Sequence, residues 1–243
     1  MRITITSPND VIALSDQYDD PIHVWAIKKD GVSGLYGTPS TRESPLERPQ
    51  MDGAYWPSRL TQGSRTISLD CVIKGASSLD AALARDRINA LTCQPLTLSV
   101  EDVNGRREID CWLTADPEPL MRRHKDGFEF GLVLSCPDPY WHGEWLWQSP
   151  QSGRLQLANL GTAPTWLQFR AASHITTLYA TWGDAEIEWE GDTNDLLLDT
   201  RDMIPSAGQV TADWALPVQP GKTQLTIQTD CSTLDVGIRP AWR

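Results

Sequence analysis

Residues 65–75 read Arg-Thr-Ile-Ser-Leu-Asp-Cys-Val-Ile-Lys-Gly. Ile67, Leu69, Cys71 and Ile73 alternate with Thr66, Ser68, Asp70 and Val72. A period of two puts one set on each face of a half-buried strand. The same alternation recurs at Phe128, Phe130, Leu132 and Leu134, and in shorter form at Leu96/Leu98/Val100 and Ile109/Cys111/Leu113. Towards the C-terminus it returns at Leu155/Leu157, Ile187/Trp189 and Leu225/Ile227. The chain is therefore expected to be mainly β.

Turn chemistry separates these runs. Asn104-Gly105 between two strands predicts a type I′ hairpin, and Asp126-Gly127 ahead of Phe128 reads the same way. Pro220-Gly221 introduces the Leu225 strand. One helix is expected, from about Ser78 to Thr92. Ser77-Ser78-Leu79-Asp80 supplies a capping box, alanines favour the helix, and Pro95 stops it. Leu79, Leu83, Ile88 and Leu91 form its apolar face. A single helix among strands predicts an α+β first domain with the helix lying on a sheet.

Residues 31–64 carry glycine, proline and charge without periodicity. So long a structureless segment in a compact domain is functional or disordered, and Tyr55 and Trp56 within it point to docking against a partner. Cys136-Pro-Asp-Pro-Tyr-Trp-His-Gly closes the first domain, and Gln148-Ser-Pro-Gln-Ser-Gly reads as a linker. The expected domains are 1–147 and 148–243. The second holds only strands and turns, which suggests a small β-sandwich.

The 243 residues carry a formal charge of −11. Cut after Pro150, the halves hold 15 basic against 21 acidic residues and 6 against 11, so both are acidic. Neither offers the basic footprint that nucleic acid or an anionic membrane requires. The N-terminus has no apolar h-region and no run of about 18 apolar residues occurs, so neither a signal peptide nor a membrane span is expected. Cys71, Cys93, Cys111, Cys136 and Cys231 make an odd count without a C-x-x-C pair. They read as reduced, buried thiols of a protein folded in a cytosol.

Catalytic and ligand motifs are weak. His23, His124, His142 and His174 are scattered, so a zinc site is not expected, and there is no G-x-S-x-G elbow. Pro220-Gly-Lys-Thr223 copies the tail of a phosphate loop, but Leu216 stands where the loop needs glycine and a strand follows, so a β-turn is the simpler reading. Gly31, Gly34 and Gly37 lack dinucleotide spacing. Glu186, Glu188 and Glu190 alternate with Ile187 and Trp189, as on the solvated face of a strand; calcium held with Asp195 or Asp199 is the sharper alternative. Among Trp166, Trp182, Trp189, Trp214 and Trp242, an exposed ring could stack on sugars, but core or interface places suit most. No cofactor is expected.

Several stretches, taken in order, carry a resemblance. Met51-Asp-Gly-Ala leads through Leu60-Thr-Gln-Gly-Ser-Arg65 into the strand ending at Gly75, and the helix with Arg85 and Leu91 follows, then Pro95-Leu-Thr-Leu. Phe128-Glu-Phe-Gly-Leu-Val-Leu precedes Pro137-Asp-Pro-Tyr-Trp141. Leu157-Ala-Asn-Leu-Gly-Thr-Ala-Pro-Thr-Trp166, Leu196-Leu-Leu-Asp-Thr200 and Pro220-Gly221 come after it. In this order they resemble the distal tail protein (Dit) family of long, non-contractile-tailed bacteriophages, over the whole chain.

The resemblance implies an N-terminal β-sandwich with one helix, six copies of which form a ring that caps the tail tube and continues its DNA channel. It implies a C-terminal galectin-like or carbohydrate-module-like sandwich outside the ring. The implied neighbours are the tail tube, tape-measure and tail-associated hub or fibre proteins, in a virion tail tip assembled in the host cytoplasm. DNA would pass through without specific binding, and an acidic wall would repel it. A ring needs a heterologous contact repeated until it closes. The 31–64 loop, with Tyr55, Trp56 and Arg59 and with Arg65 just beyond it, is the candidate subunit interface. Two other classes compete: an adhesin module using the C-terminal sandwich, and a glycan hydrolase built on paired carboxylates.

Overall fold

The computed structural model describes residues 1–15, 24–121 and 126–243. The chain forms two compact units, Met1–Pro139 and Tyr140–Arg243.

The first unit is built on a sheet closed on itself, together with a separate two-stranded sheet. Its strands are β1 (Arg2–Thr6), β2 (Val11–Ser15), β3 (Val24–Ser33), the short β4 (Leu46–Glu47) and β5 (Ala54–Tyr55), and β6 (Arg65–Lys74). Helix α1 (Ser78–Asn89) follows, then β7 (Leu96–Asp102), β8 (Gly105–Leu113), β9 (Leu120–Met121) and β10 (Gly127–Cys136). Neighbours run β8-β7-β1-β2-β3-β6-β10, and β10 returns to β8 through Leu134↔Leu113 and Ser135↔Trp112. The sandwich expected here thus takes the form of a seven-stranded barrel, which leaves no open edge in that circuit. Every pair among these seven is antiparallel except the single β2–β3 pair, Ser15↔Ala26.

Alternation fills the barrel. Ile67, Leu69, Cys71 and Ile73 are buried opposite Leu134, Leu132, Phe130 and Phe128 in the β6–β10 register. Val72, read from the pattern as outward, is also buried, packed with its register partner Ala26. The Asn104-Gly105 hairpin forms, but through Val103 and Asn104, with Asp102 opposite Gly105. Only Gly105 of these turn residues has positive φ, +93°, so this is a glycine bulge and not the type I′ turn, which needs positive φ at both central residues. Gly127 opens β10 opposite Lys74 without positive φ, so Asp126-Gly127 is no type I′ turn; residues 122–125 before it lie outside the described residues. His23 and His124 lie outside them too.

The helix begins where its cap predicts. Asp80 N–H donates to Ser77 Oγ at 3.2 Å, and Ser77 Oγ–H donates to Asp80 Oδ2 at 3.1 Å. It ends at Asn89, three residues before Thr92. Its buried face differs from the expected one. Ala81, Ala84 and Ile88 face inward, as does Leu91 just past its end, whereas Leu79 and Leu83 are exposed. At 100° per residue the two leucines fall opposite the buried stripe. Two alanines let the helix approach β6 and β10 closely, and Ile88 with Leu91 supplies the apolar bulk.

The second unit holds β11 (Trp141–His142), β12 (Leu146–Gln148), β13 (Arg154–Asn159), β14 (Leu167–Ala171), β15 (Ile175–Trp182) and β16 (Ala185–Thr193). It continues with β17 (Leu196–Asp199), β18 (Gln209–Trp214), β19 (Gly221–Thr229), β20 (Leu234–Ile238) and β21 (Ala241–Trp242). A four-stranded sheet, β12-β20-β14-β17, and a five-stranded one, β13-β19-β15-β16-β18, share one hydrophobic core. Trp189 is fully buried, and its indole N–H donates to Ala207 O at 2.8 Å. Gly208, at φ +74°, lies against that ring, where a Cβ would come within 2.7 Å. Because β12 pairs with β20, the division between the units falls at Pro139/Tyr140, earlier than the expected 147/148 boundary. The linker-like Gln148–Gly153 stretch is instead a tight turn, with Ser152 at φ +50° and Gly153 at φ +71°. Trp147 covers Gly237, and its ring stacks with Trp145 at 5.4 Å and with the Arg170 guanidinium at 4.3 Å.

The helix faces yield a direct test. Ile88→Ala should lower the stability of the first unit by about 2–5 kcal/mol, whereas Leu83→Ala should change it by less than about 0.5 kcal/mol. Urea unfolding of both variants measures this; equal losses would show that Leu83 is core.

Candidate interaction surface: a hairpin arm and an apolar groove

The 31–64 segment, expected to be structureless, is largely a β-hairpin arm. Ser40 O accepts from Gly63 N–H at 3.2 Å, and Thr61 O accepts from Arg42 N–H at 3.0 Å. Further out, Leu46 pairs with Tyr55 and Glu47 with Ala54. Arg48 N–H donates to Gly53 O at 3.0 Å and closes the tip, where Gln50 (φ +57°) and Gly53 (φ +80°) reverse the chain. The Glu43 carboxylate ties the two legs by accepting from the hydroxyl and the N–H of Thr61, which hold its pKa below the ordinary value.

Backbone pairing holds the two legs of the arm together but leaves large apolar side chains exposed. Trp56 is 84% exposed and Met51 68%. Leu46, Tyr55 and Leu60 are exposed as well. Arg48 lies 5.5 Å from the Tyr55 ring centroid. Arg59 is exposed and makes no ion pair among the described residues. Exposed apolar rows of this kind mark contact with a partner.

Arg65 does not belong to that exposed set. It is 2% exposed. Its Nη1 donates to Gly34 O at 2.9 Å, to Leu35 O at 3.3 Å and to Gly37 O, and its Nε donates to Pro139 O at 2.9 Å. Burial lowers its pKa, and the neighbouring Cys136 pulls it back up. The residue is the anchor of the arm. Tyr36 fixes the root further: its hydroxyl lies 3.2 Å from Met1 Sδ and 3.4 Å from Asp102 Oδ2.

That root sits where β1 begins and β7 ends. At the opposite end of these two strands an open groove of about 780 Å³ is lined by Pro8, Thr92, Cys93, Pro95, Trp112 and Pro137, among others. Trp112 is 45% exposed beside it, and Asp110 adds a carboxylate that accepts from Thr97 Oγ1 at 2.9 Å. Cys93, expected to be buried, is exposed. No arm residue lines the groove. Sequence reasoning missed it because its lining comes from β1, the helix end, β7, β8 and the segment after β10.

Elsewhere the structure separates residues that the sequence reading grouped. Glu186, Glu188 and Glu190 are exposed on β16, opposite Thr181, Tyr179 and Thr177. Asp199 lies in the other sheet, where it accepts from Gln168 Nε2 at 2.7 Å, and the Asp195 backbone is held in a turn with Thr193. Among the described residues no group of three or more His, Cys, Asp or Glu is placed to hold a metal. Trp182 is buried with its indole N–H on Leu216 O at 2.9 Å, whereas Trp214, opposite Glu186 on the outermost strand of its sheet, is 65% exposed.

No family model matches the chain, and no curated protein matches it. Solved structures do. The crystal structure of the Dit protein (gp 19.1) of phage SPP1, described as a paradigm of the hub adsorption apparatus in phages infecting Gram-positive bacteria, matches with a TM-score of 0.69 and 15% identity, over 99% of each chain. A chain of the phage P2 baseplate in its activated conformation with Ca matches with a TM-score of 0.55 and 11% identity, over 99% of this chain and 98% of that one. The phage p2 baseplate with Sr gives 0.56 and 12%, over 98% of each. The chain has the fold of phage tail hub and baseplate proteins. Within that class it is similar to Dit over both units.

Replacing Arg65 tests its role as anchor. Arg65→Met strands the carbonyls of Gly34, Leu35, Gly37 and Pro139, and should lower stability by about 2–4 kcal/mol. Protease cleavage within residues 37–64 should quicken, while Arg65→Lys recovers only part of the loss because one ammonium cannot reproduce the fork. Urea unfolding and limited proteolysis read both effects; unchanged cleavage would remove the anchoring role.

Proposed function

We propose that this chain is a structural component of a phage tail tip, a distal-tail-type protein that assembles with copies of itself. The likeness to Dit across 99% of both chains carries the reading. The first unit is the ring-forming domain, and six copies close a ring that joins the tail tube to the hub or fibre proteins, with the tape-measure protein as a further neighbour and the channel continued for DNA. The second unit is the galectin-like sandwich on its outside. The role is structural and no catalytic residue is assigned.

The contact between copies in this reading is the arm of one chain in the groove of the next. The arm offers exposed apolar side chains with Arg59 beside them; the groove offers an apolar lining with Asp110 on it. Root and groove lie at opposite ends of β1 and β7, so the contact is heterologous and propagates from copy to copy until it closes. A second reading, glycan or receptor binding by the second unit, is favoured by one observation, the exposed Trp214 beside Glu186.

Solution mass with negative-stain imaging tests the proposal. An open-centred hexamer is the expected result. Trp56→Ala should weaken self-association by about 30-fold or more, as loss of a buried aromatic anchor does. Arg59→Glu should weaken it too, and Asp110→Arg should restore it. A ring unaffected by these changes would move the contact elsewhere on the barrel. A strict monomer whose glycan binding is lost in Trp214→Ala would favour the second reading.

A further inference from the structure

The barrel closes along a narrow seam. The β6–β10 pair holds ten residue pairs in register and β7–β8 holds seven, but β10–β8 holds only Leu134↔Leu113 and Ser135↔Trp112. Continuing that antiparallel register by one residue sets Cys136 opposite Cys111. Both are buried, at 0% and 4% exposure, and both are free thiols. Directly opposed residues of antiparallel strands have Cα atoms about 4.5–5.5 Å apart, within the range of about 4.4–6.8 Å that a disulfide spans.

We propose that Cys111 and Cys136 are an oxidative modification site: a low-molecular-weight disulfide converts them to a cross-strand disulfide that staples the barrel at its seam. Two surroundings favour the exchange. Interaction between the two thiols lowers the pKa of Cys136 and raises that of Cys111, and the Arg65 guanidinium lowers that of Cys136 further. Cys111 also lines the apolar groove, which gives a route inward as the short seam opens. Cys71 is no competitor in register, since it stands opposite Phe130 and Ile27.

The chemistry is two successive exchanges. The Cys136 thiolate attacks one sulfur of the reagent disulfide; a protein–reagent disulfide forms and one reagent thiolate leaves. Cys111, its proton passing to that thiolate, attacks the Cys136 sulfur and expels the second reagent thiolate, which takes a proton from solvent. The two protein thiols lose two electrons between them, and the reagent disulfide is reduced to two thiols.

The test uses the full chain with Cys93→Ser and Cys231→Ser, which removes the exposed and half-buried thiols. The folded protein is incubated with oxidised glutathione just below its unfolding transition, and linked peptides are mapped by mass spectrometry without reduction. A urea-unfolded sample verifies the reagent. A Cys111–Cys136 peptide should dominate. The unfolding midpoint of the first unit should rise by roughly 5–10 °C. The rise should vanish on reduction and be absent when Cys136→Ser is added. Folded protein that keeps both thiols alkylatable while the unfolded control oxidises would overturn the proposal, as would pairing of either cysteine with Cys71.

Discussion

A guanidinium group inside a protein keeps its charge, so the chain around it must supply acceptors. Arg65 is placed in that way at the start of β6, on the inward face that continues through Ile67 and Leu69. Its acceptors are carbonyls from two distant places, the root of the arm at Gly34, Leu35 and Gly37 and the end of the first unit at Pro139. One side chain therefore fixes where the arm leaves the barrel and where the first unit ends. The arm's own ladder holds its shape beyond that point, and Tyr36 ties its root to Met1 and Asp102.

Much of what is exposed follows from this anchoring. A hairpin held away from its barrel cannot fold its apolar side chains back under cover, so Met51, Tyr55, Trp56 and Leu60 stay in solvent. In a chain that works alone such a row invites aggregation. In the proposed assembly it is the surface that a neighbouring copy covers. The groove at the far end of β1 and β7 is largely apolar in its lining, and no arm residue of the same chain lines it.

Strand content was legible because alternation is local. Each inward set named from the pattern is buried, from Ile67 and Leu69 to Leu225 and Ile227. The helix was legible through its cap and its alanines, but not its orientation. Two apolar stripes were available, and the barrel wall selects the one with small side chains. The linker-like composition at Gln148–Gly153 describes a turn equally well, and only the β12–β20 pairing assigns the residues before it to the second unit. Tyr55, Trp56 and Arg59, read as part of a candidate interface loop, are exposed on the arm. Arg65 was grouped with them by proximity in sequence, although one strand residue separates an anchor from a surface.

By itself the sequence determined the periods, the caps and turns, the acidic surface and the presence of two β-rich parts, because each depends on residues within about ten positions of one another. Tertiary structure alone decided that the first sheet closes into a barrel, that Arg65 points inward, that Cys111 and Cys136 face each other, and that the groove lies across the barrel from the arm. Those features depend on strand register between segments far apart in the chain. Register is set by how whole faces of side chains pack, which no local stretch of residues encodes.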